Sequence, residues 1–238
     1  MGSLNGAVLE LEQVRTINGI SEGTREPLSK RVFDILLSGF GLVFSSWLWA
    51  LIWIGIWLED GSPCCIRQSR IGKDGRIFKV IKFRSMRKHS LNEKINVQAT
   101  ENDPRITFVG RILRKTALDE LPQLINILIG EMSFVGPRAL LPAEIEHNDC
   151  YLHVWEVPGY EKRIRMRPGL TGIAQIFAPR DLPRRYKFKY DLLYARKMSF
   201  FLDLKLVLIS FLVTFKGTWE RKRNKLKFLK GAKWGLTK

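Results

Sequence analysis

The run ILLSGFGLVFSSWLWALIWIGIWL, from Ile35 to Leu58, decides the fold because 24 consecutive positions carry no charge. About 20 such residues are enough to cross the hydrocarbon core of a bilayer. A cleaved signal peptide is excluded, since a long acidic segment precedes the run and no small-residue cleavage site follows it. A core helix of a soluble protein is disfavoured, because four tryptophans lie in the eleven residues from Trp47 to Trp57. The run therefore predicts a helix embedded in a membrane.

Basic residues flank this run on both sides, and a single crossing of the membrane accounts for only one of the flanks. Lys30 and Arg31 precede the run, and four further cations follow it within about twenty residues: Arg67, Arg70, Lys73 and Arg76. Cytoplasmic flanks carry the excess of Lys and Arg, so both ends are expected in the cytosol. We therefore predict a re-entrant helix-hairpin that dips into one leaflet and bends near Gly39, Gly41, Ser45 and Ser46.

Arg31 and Asp34 are expected to anchor the start of this segment. Asp34 can meet Arg31 one helical turn back, and such a pair lowers the cost of a charge inside a membrane, roughly 2.5–3.5 kcal/mol at a helix centre.

The formal charge of the 238-residue chain is +17, and its order along the chain is more informative than its sum. Residues 61–118 carry +10, residues 119–160 carry −6, and residues 161–215 and 216–238 carry +8 each. Nucleic acid, an anionic membrane surface and a phosphate-rich substrate are all compatible with such blocks. The three cysteines form no disulfide framework and no paired metal motif, which indicates a reducing compartment.

The C-terminal part predicts a second membrane contact. The apolar run Leu206–Phe215 is too short to span a bilayer, and with the residues that precede it the pattern favours an amphipathic interfacial helix. The basic tail 216–238, with Trp219, Phe228 and Trp234 among its cations, is expected on anionic lipid. A solvated disordered tail is the alternative.

The region between the two membrane contacts must carry any chemistry. It contains no Walker-type loop, no G-x-G-x-x-G and no H-E-x-x-H. The residues Phe78–Met86 alternate apolar and basic positions, as a half-buried strand does. A helix is predicted to start near Asp119 and to stop at Gly130. Asp119 and Glu120 then lie at its N-terminus, where they could bind a divalent cation, provide a nucleophile, or only cap the helix.

Cations surround this carboxylate pair along the sequence. Arg111, Arg114 and Lys115 precede it, Arg138 follows it, and a turn at Pro168-Gly169 and Gly172 lies in the later segment 163–175. Because arginine forks bind phosphate oxygens in pairs, the pattern suggests phosphoryl transfer assisted by a divalent metal.

Most of the chain, from about Lys30 to Phe215, resembles the bacterial sugar transferase family, the small monotopic polyprenyl-phosphate phosphoglycosyl transferases. The resemblance rests on motifs in one order: Lys30-Arg31-x-x-Asp34, Lys82-Phe-Arg-Ser-Met86, Asn102-Asp-Pro-Arg-Ile-Thr107, Val109-Gly-Arg-x-Leu-Arg114, Leu118-Asp-Glu-Leu-Pro-Gln-Leu-x-Asn126, Gly130-Glu-Met-Ser-Phe-Val-Gly-Pro-Arg138, Arg167-Pro-Gly-Leu-Thr-Gly-x-Ala-Gln175, Asp191-x-x-Tyr194 and Ser199-Phe-x-x-Asp-x-Lys205.

The resemblance implies a two-step transfer at the cytoplasmic face of a bacterial inner membrane. Asp119 would attack a nucleoside-diphosphate sugar, most simply a UDP-sugar, and undecaprenyl phosphate would then accept the phosphosugar. Glu120 would act as metal partner or base, with Mg²⁺ between Asp119 and the diphosphate. The phosphate or lipid headgroup would be bound by Lys82, Arg84, Arg114 and Arg138, and the substrate loop would contain Arg167, Gln175 and Arg180.

The chain departs from the family pattern at two places. The family's re-entrant helix usually breaks at a Ser-Pro, and the matching pair here is Ser45-Ser46, so any kink must come from serine back-bonding and packing. The family commonly has Asn-Gly-Arg after the Ala-Gln, whereas this chain has Phe177-Ala-Pro-Arg180.

The expected fold is α+β and mainly helical, with a re-entrant membrane helix-hairpin, a small cytosolic catalytic domain with short strands, and interfacial amphipathic helices. The expected segments are an N-terminal extension at 1–29, the membrane helix at 30–60, the catalytic domain at 61–215 and the tail at 216–238. Expected partners are a UDP-sugar, undecaprenyl phosphate and inner-membrane lipids, without nucleic acid, and a homodimer is compatible. A membrane-attached basic binding protein without turnover is the competing hypothesis.

Overall fold

The structure is a computed structural model, and it describes residues 26–88, 103–142, 153–179 and 182–215. The expected N-terminal extension up to residue 25, the basic tail 216–238 and Arg180 lie outside these residues. The helices are α1 (Leu28–Asp60), α2 (Phe108–Thr116), α3 (Gln123–Ile129), α4 (Tyr160–Ile164), α5 (Ile173–Phe177), α6 (Arg184–Lys197) and α7 (Phe200–Phe215). The strands are β1 (Cys65–Ile71), β2 (Ile77–Phe83), β3 (Ser133–Val135) and β4 (Gly169–Thr171). The prediction of a mainly helical fold with short strands is confirmed.

Helix α1 is one uninterrupted helix of 33 residues, so the predicted hairpin is not confirmed. The hydroxyls of Ser45 and Ser46 donate to the carbonyls of Gly41 and Val43, at 2.7 and 2.9 Å, inside the helix. This back-bonding satisfies both hydroxyls without opening the helical backbone. Within the described residues, α1 is the helix that is long and apolar enough to cross a membrane by length and composition.

Both ends of α1 are fixed to the same folded domain. At its N-terminal end, the Arg31 guanidinium donates to the Ile127 and Leu128 carbonyls, 2.7 Å from each. At its C-terminal end, the Glu59 carboxylate accepts from the backbone N–H groups of Phe108 and Val109, the first two residues of α2. The helix therefore lies along the domain rather than projecting from it.

The predicted pairing of Arg31 with Asp34 is wrong. Asp34 accepts instead from the Ser133 hydroxyl and the Phe134 N–H, both at 3.0 Å, while Arg31 donates to the end of α3. The reason is that β3 presents donors and the end of α3 presents carbonyls without a partner in the helix, so each charge finds a complementary backbone group nearby.

A polar anchor of three buried residues, Lys30, Tyr194 and Asp203, joins α1 to α6 and α7. The Lys30 ammonium donates to the Asp203 carboxylate at 2.8 Å, to the Tyr194 hydroxyl at 3.0 Å and to the Val135 carbonyl at 2.8 Å. All three hydrogens of the ammonium have acceptors, which is the condition under which a buried charge is tolerated.

Strands β1 and β2 form an antiparallel hairpin in which Ile66 faces Lys82. The observed β2 begins one residue earlier and ends three residues earlier than the predicted strand at 78–86. Its other edge is covered by Asn126 of α3, whose amide accepts from the Ile81 N–H at 3.1 Å and donates to the Lys79 carbonyl at 2.9 Å. Asn126 therefore fixes α3 beside the strand that carries Lys82.

Strands β3 and β4 are parallel and approach unusually closely. A Cβ atom on Gly169 would collide with the Gly136 backbone nitrogen, and one on Gly136 would collide with the Arg167 carbonyl. The turn predicted at Pro168-Gly169 and Gly172 thus packs against another strand, and it places Arg138 beside Gly169 through a β-bridge. The main core lies between this sheet, β2, α3, α5 and α7.

Candidate active site

The Asp119-Glu120 pair lies on a tight turn between α2 and α3. Ala117 ends α2 in the left-handed conformation (φ 56°), and Leu118–Glu120 then form a single 3₁₀ turn. A left-handed alanine costs about 1 kcal/mol or more, and such strain is typical of functional sites. The predicted helix from Asp119 to Gly130 is therefore present in two parts, the 3₁₀ turn and α3, which ends at Gly130 with φ 95°.

Glu120 forms a short ion pair with Lys82 of β2. The Lys82 ammonium lies 2.6 Å from the Glu120 carboxylate, and the two side chains are 17% and 29% exposed. Burial opposes ionisation of Glu120, but the charges of Lys82 and Arg138 are stronger and keep the pKa of this carboxyl below its usual value. Glu120 is therefore ionised at neutral pH.

Asp119 behaves differently from its neighbour. Burial and the adjacent Glu120 carboxylate raise the pKa of Asp119 to about 6, against the opposing charges of Lys82 and Arg114. Its side chain makes no ion pair with another described residue. A carboxylate that is ionised at neutral pH and lacks a tight partner remains basic enough to act as a nucleophile.

Three of the predicted phosphate ligands lie near the carboxylates. Lys82 contacts Glu120 directly, while Arg114 and Arg138 act on the pair through their charge. Arg138 is exposed, and its backbone is fixed by Arg163, which donates to the Arg138 carbonyl. The Arg163 Nε in turn lies 2.8 Å from the buried Asp191 carboxylate. An exposed guanidinium on a fixed backbone can bind an anion.

The structure places the other predicted ligands elsewhere. Arg84 is 1% exposed and donates to the Asp60 and Gly61 carbonyls, so it caps the C-terminal end of α1. Arg167 bonds Glu26 through its backbone N–H at 2.7 Å and pairs with it through Nε at 3.3 Å. The Gln175 amide lies 3.4 Å from the Gly136 carbonyl, which directly follows β3. No described contact links these three residues to the carboxylate pair.

Sequence reasoning missed two residues near the pair. Arg70 of β1 lowers the pKa of Glu120. It shares a face of the hairpin with Lys82, because Ile66 opposes Lys82 and positions 66, 68 and 70 point the same way. The alternation of side chains along β1 can be read from the sequence. The pairing of β1 with β2, which puts Arg70 and Lys82 on the same face, cannot. The other missed residue is Gln123, which carried no expected role within its motif.

The two carboxylates fit a magnesium ion that a substrate also ligates. Mg²⁺ usually binds one or two carboxylates together with substrate phosphates and water. The described residues contain no group of three or more His, Cys, Asp or Glu side chains that would form a complete protein cage. The donor set is therefore of the kind that a diphosphate must complete.

Comparison with known proteins gives the family. The family model for bacterial sugar transferases matches residues 25–217. A UDP-glucose:undecaprenyl-phosphate glucose-1-phosphate transferase of Escherichia coli K12 is 44% identical over 197 residues, which are 80% of this chain and 40% of that protein. The exopolysaccharide production protein ExoY of Rhizobium meliloti is 39% identical over 194 residues, 76% of this chain and 82% of that protein.

The extent of these matches differs between relatives. The chain spans about two fifths of the Escherichia coli relative's length. It covers 90% of the exopolysaccharide production protein PSS of Rhizobium leguminosarum, with 39% identity over 183 residues. The family match covers α1, the carboxylate pair, its cations and α7. This chain therefore belongs to the bacterial sugar transferase family.

Proposed function

We propose that the chain transfers a sugar 1-phosphate from a UDP-sugar to undecaprenyl phosphate, with UDP-glucose as the first candidate donor. The observation that carries the proposal is the Asp119-Glu120 pair beside Lys82. Glu120 is ion-paired with Lys82, whereas Asp119 has no ion-pair partner among the described residues. The relatives named as UDP-glucose:undecaprenyl-phosphate glucose-1-phosphate transferases support the donor and the acceptor.

In the first step, an Asp119 carboxylate oxygen bonds to the β-phosphorus of the UDP-sugar. The bond between that phosphorus and the bridging oxygen breaks, and UMP leaves with the bridging oxygen. The product is an acyl phosphate between Asp119 and the sugar phosphate. Lys82, Arg114 and Arg138 supply the positive charge that stabilises the phosphoryl oxygens during the exchange.

In the second step, an oxygen of undecaprenyl phosphate attacks the same phosphorus. The bond to Asp119 breaks, its carboxylate is restored, and the product is a polyprenyl-diphosphate sugar. Glu120 stays ionised throughout because of its pair with Lys82. Asp119 and Glu120 would hold Mg²⁺, and the ion would supply positive charge against the phosphate oxygens.

The proposed membrane arrangement is monotopic, on the cytoplasmic face of the inner membrane. Large apolar side chains of α1 are exposed at helical spacing: Leu36, Phe40, Val43, Phe44, Trp47, Leu51, Ile54 and Leu58. Both ends of α1 bond to one domain, and a transmembrane path would force that domain to enter the bilayer. An apolar face on a docked helix is suited to lying in one leaflet.

Two other helices support the same arrangement. Helix α7 exposes the apolar side chains of Phe201, Leu208, Phe211 and Leu212. On α2, Phe108 and Ile112 are exposed together with Arg111 and Lys115, at positions that share one face of the helix. A face that mixes apolar side chains with cations suits the headgroup layer of an anionic membrane.

The chemical proposal is tested with the purified chain, UDP-glucose labelled in the sugar, and Mg²⁺. We expect the label on the protein together with one UMP released, and both lost in Asp119→Asn, by at least about 10³-fold in rate. Addition of undecaprenyl phosphate should move the label from the protein to the lipid.

Glu131→Gln is the matched control, because Glu131 is an acid of the same region that bonds Asn126 rather than the carboxylate pair. Label that persists on Asp119→Asn would refute the nucleophile. Binding of anionic vesicles without UMP release from any sugar nucleotide would favour a binding protein without turnover.

The topology is tested with single cysteines at Leu28 and Gly61, in a chain whose native cysteines are replaced. A monotopic helix predicts that a membrane-impermeant reagent labels both positions only from the cytoplasmic side. Labelling of either position from the periplasmic side would refute this arrangement.

A further inference from the structure

Helix α3 carries two buried side-chain amides that differ in their hydrogen bonding. Asn126 is 1% exposed and bonds the Ile81 N–H, the Lys79 carbonyl and the Glu131 carboxylate. Gln123 is 4% exposed, and its buried Nε2 has no hydrogen-bond partner in the part of the chain that the structure describes. A buried donor without an acceptor is disfavoured, so this amide is a candidate for a contact with a ligand.

The position of Gln123 places its amide near the carboxylate pair. Leu121 and Pro122 have helical dihedrals, so the 3₁₀ turn of Asp119 continues into α3 with little change of direction. Residues four apart share a helix face, and a helical side chain leans toward the N-terminus of its helix. Gln123 therefore lies on the helix face that continues from Asp119, and its side chain is expected to lean toward the turn that contains Asp119.

We propose that Gln123 contacts the substrate, and that its Nε2 donates a hydrogen bond to a phosphoryl oxygen of the phosphosugar bound at Asp119. This inference rests on the proposed function. The missing acceptor is then supplied by the substrate itself, which explains why the donor is unpaired in the free protein. The amide would add one uncharged hydrogen bond to the positive charge that Lys82, Arg114 and Arg138 provide.

The test uses Gln123→Met, which keeps the length of the side chain and removes the amide. We expect the Tm of the free protein to stay unchanged or to rise, because an unpaired buried donor is removed. We expect kcat/KM for UMP release to fall by about 10- to 100-fold, as for the loss of one hydrogen bond to a charged oxygen. The increase in Tm caused by UDP should also shrink.

Asn126→Leu is the control for a buried amide with a structural role. Its hydrogen bonds are all made within the protein, so its Tm should fall without ligand. Gln123→Met would overturn the proposal if it lowered the Tm in the same way while UMP release per folded molecule stayed at the wild-type rate.

The UDP measurement separates this inference from the proposed function. If the wild-type chain releases no UMP, UDP can still raise its Tm by more than it raises the Tm of Gln123→Met. That result would support the phosphate contact and would not support the transferase reaction. If UDP stabilises both proteins equally, the contact assigned to Gln123 is wrong, whatever the reaction.

Discussion

The polar anchor and the carboxylate pair both contain a lysine ion-paired with a carboxylate, and they differ in how completely the charges are satisfied. Lys30 and Asp203 are 2.8 Å apart, 3% and 1% exposed, and the ammonium has three acceptors. Lys82 and Glu120 are 2.6 Å apart and partly exposed, and within the described residues the Lys82 ammonium has Glu120 as its hydrogen-bond acceptor. The first arrangement is closed, whereas the second can accept a further anion.

This difference explains why the shorter ion pair is the one suited to chemistry. A charge with all its partners supplied by the protein gains nothing from a ligand, and its removal leaves buried groups unpaired. A charged group that still has hydrogen-bond donors without an acceptor can stabilise oxygens that gain negative charge during a reaction. Distance alone does not separate the two lysines, but their remaining hydrogen-bond capacity does.

Between the two lysine ion pairs, the larger effect is expected at the carboxylate pair, where Lys82 can still accept a further anion. Lys82→Met should lower the rate of UMP release by about 10²- to 10³-fold, because it removes a charge from the transferring phosphate. The acid limb of the pH–rate profile should also move to higher pH, since Lys82 lowers the pKa of both carboxyls. Steady-state rates from pH 5 to 9 measure both effects.

Lys79→Met is the control for that variant, because Lys79 lies exposed on the same strand, three residues away. It should change the rate by less than about twofold, as exposed charges contribute little. If the rate of UMP release fell by less than about threefold in Lys82→Met, the assignment of Lys82 to the transferring phosphate would be wrong.

The next largest effect is expected at the polar anchor, and it is a loss of folding stability. Lys30→Met should lower the free energy of unfolding by about 3–5 kcal/mol, because the Asp203 carboxylate and the Tyr194 hydroxyl lose their buried partner. UMP release per folded molecule should stay near the wild-type rate. Denaturant unfolding in detergent measures the first quantity, and activity corrected for the folded fraction measures the second.

The double variant Lys30→Met with Asp203→Leu tests whether the loss of stability comes from the unpaired Asp203 carboxylate. It should recover part of the lost stability, because no buried charge is then left alone. Equal stability of the single and double variants would indicate that the ion pair is not what the anchor contributes.

The smallest expected effect is the pH dependence of stability at Asp119. A raised pKa means that the folded state binds the proton more tightly than the unfolded chain, so ionised Asp119 destabilises the fold. Asp119→Asn should therefore have a higher Tm than wild type above about pH 6. The difference should shrink as the pH falls from about 6 toward 4, and it should vanish at still lower pH, where the carboxyl is protonated in both the folded and the unfolded state. An equal Tm of the two proteins at pH 8 would contradict the raised pKa.

Much of the local structure could be predicted from the sequence. The helix that contains Ile35–Leu58, the strand with Lys82, the helix that stops at Gly130 and the C-terminal helix all follow from hydrophobic spacing and from glycine or proline positions. Whether this helix bends could not be decided from the sequence, because serine back-bonding is compatible with both a kinked and a continuous helix, and the predicted bend is not confirmed. The homodimer, the absence of a nucleic-acid partner and the magnesium ion stay predictions.

The sequence by itself determined that an apolar helix precedes a carboxylate pair surrounded by cations, and it determined the family, because these depend on residue types and spacings. The tertiary structure decided the partner of each charge. It paired Asp34 with β3 rather than with Arg31, buried Arg84 at the end of α1, and placed Arg70 where its charge lowers the pKa of Glu120. Contacts between residues far apart in the chain depend on strand register and helix packing, which short-range periodicity does not specify. For the same reason, only the fold distinguishes the saturated Asn126 from the unpaired Gln123 on one helix.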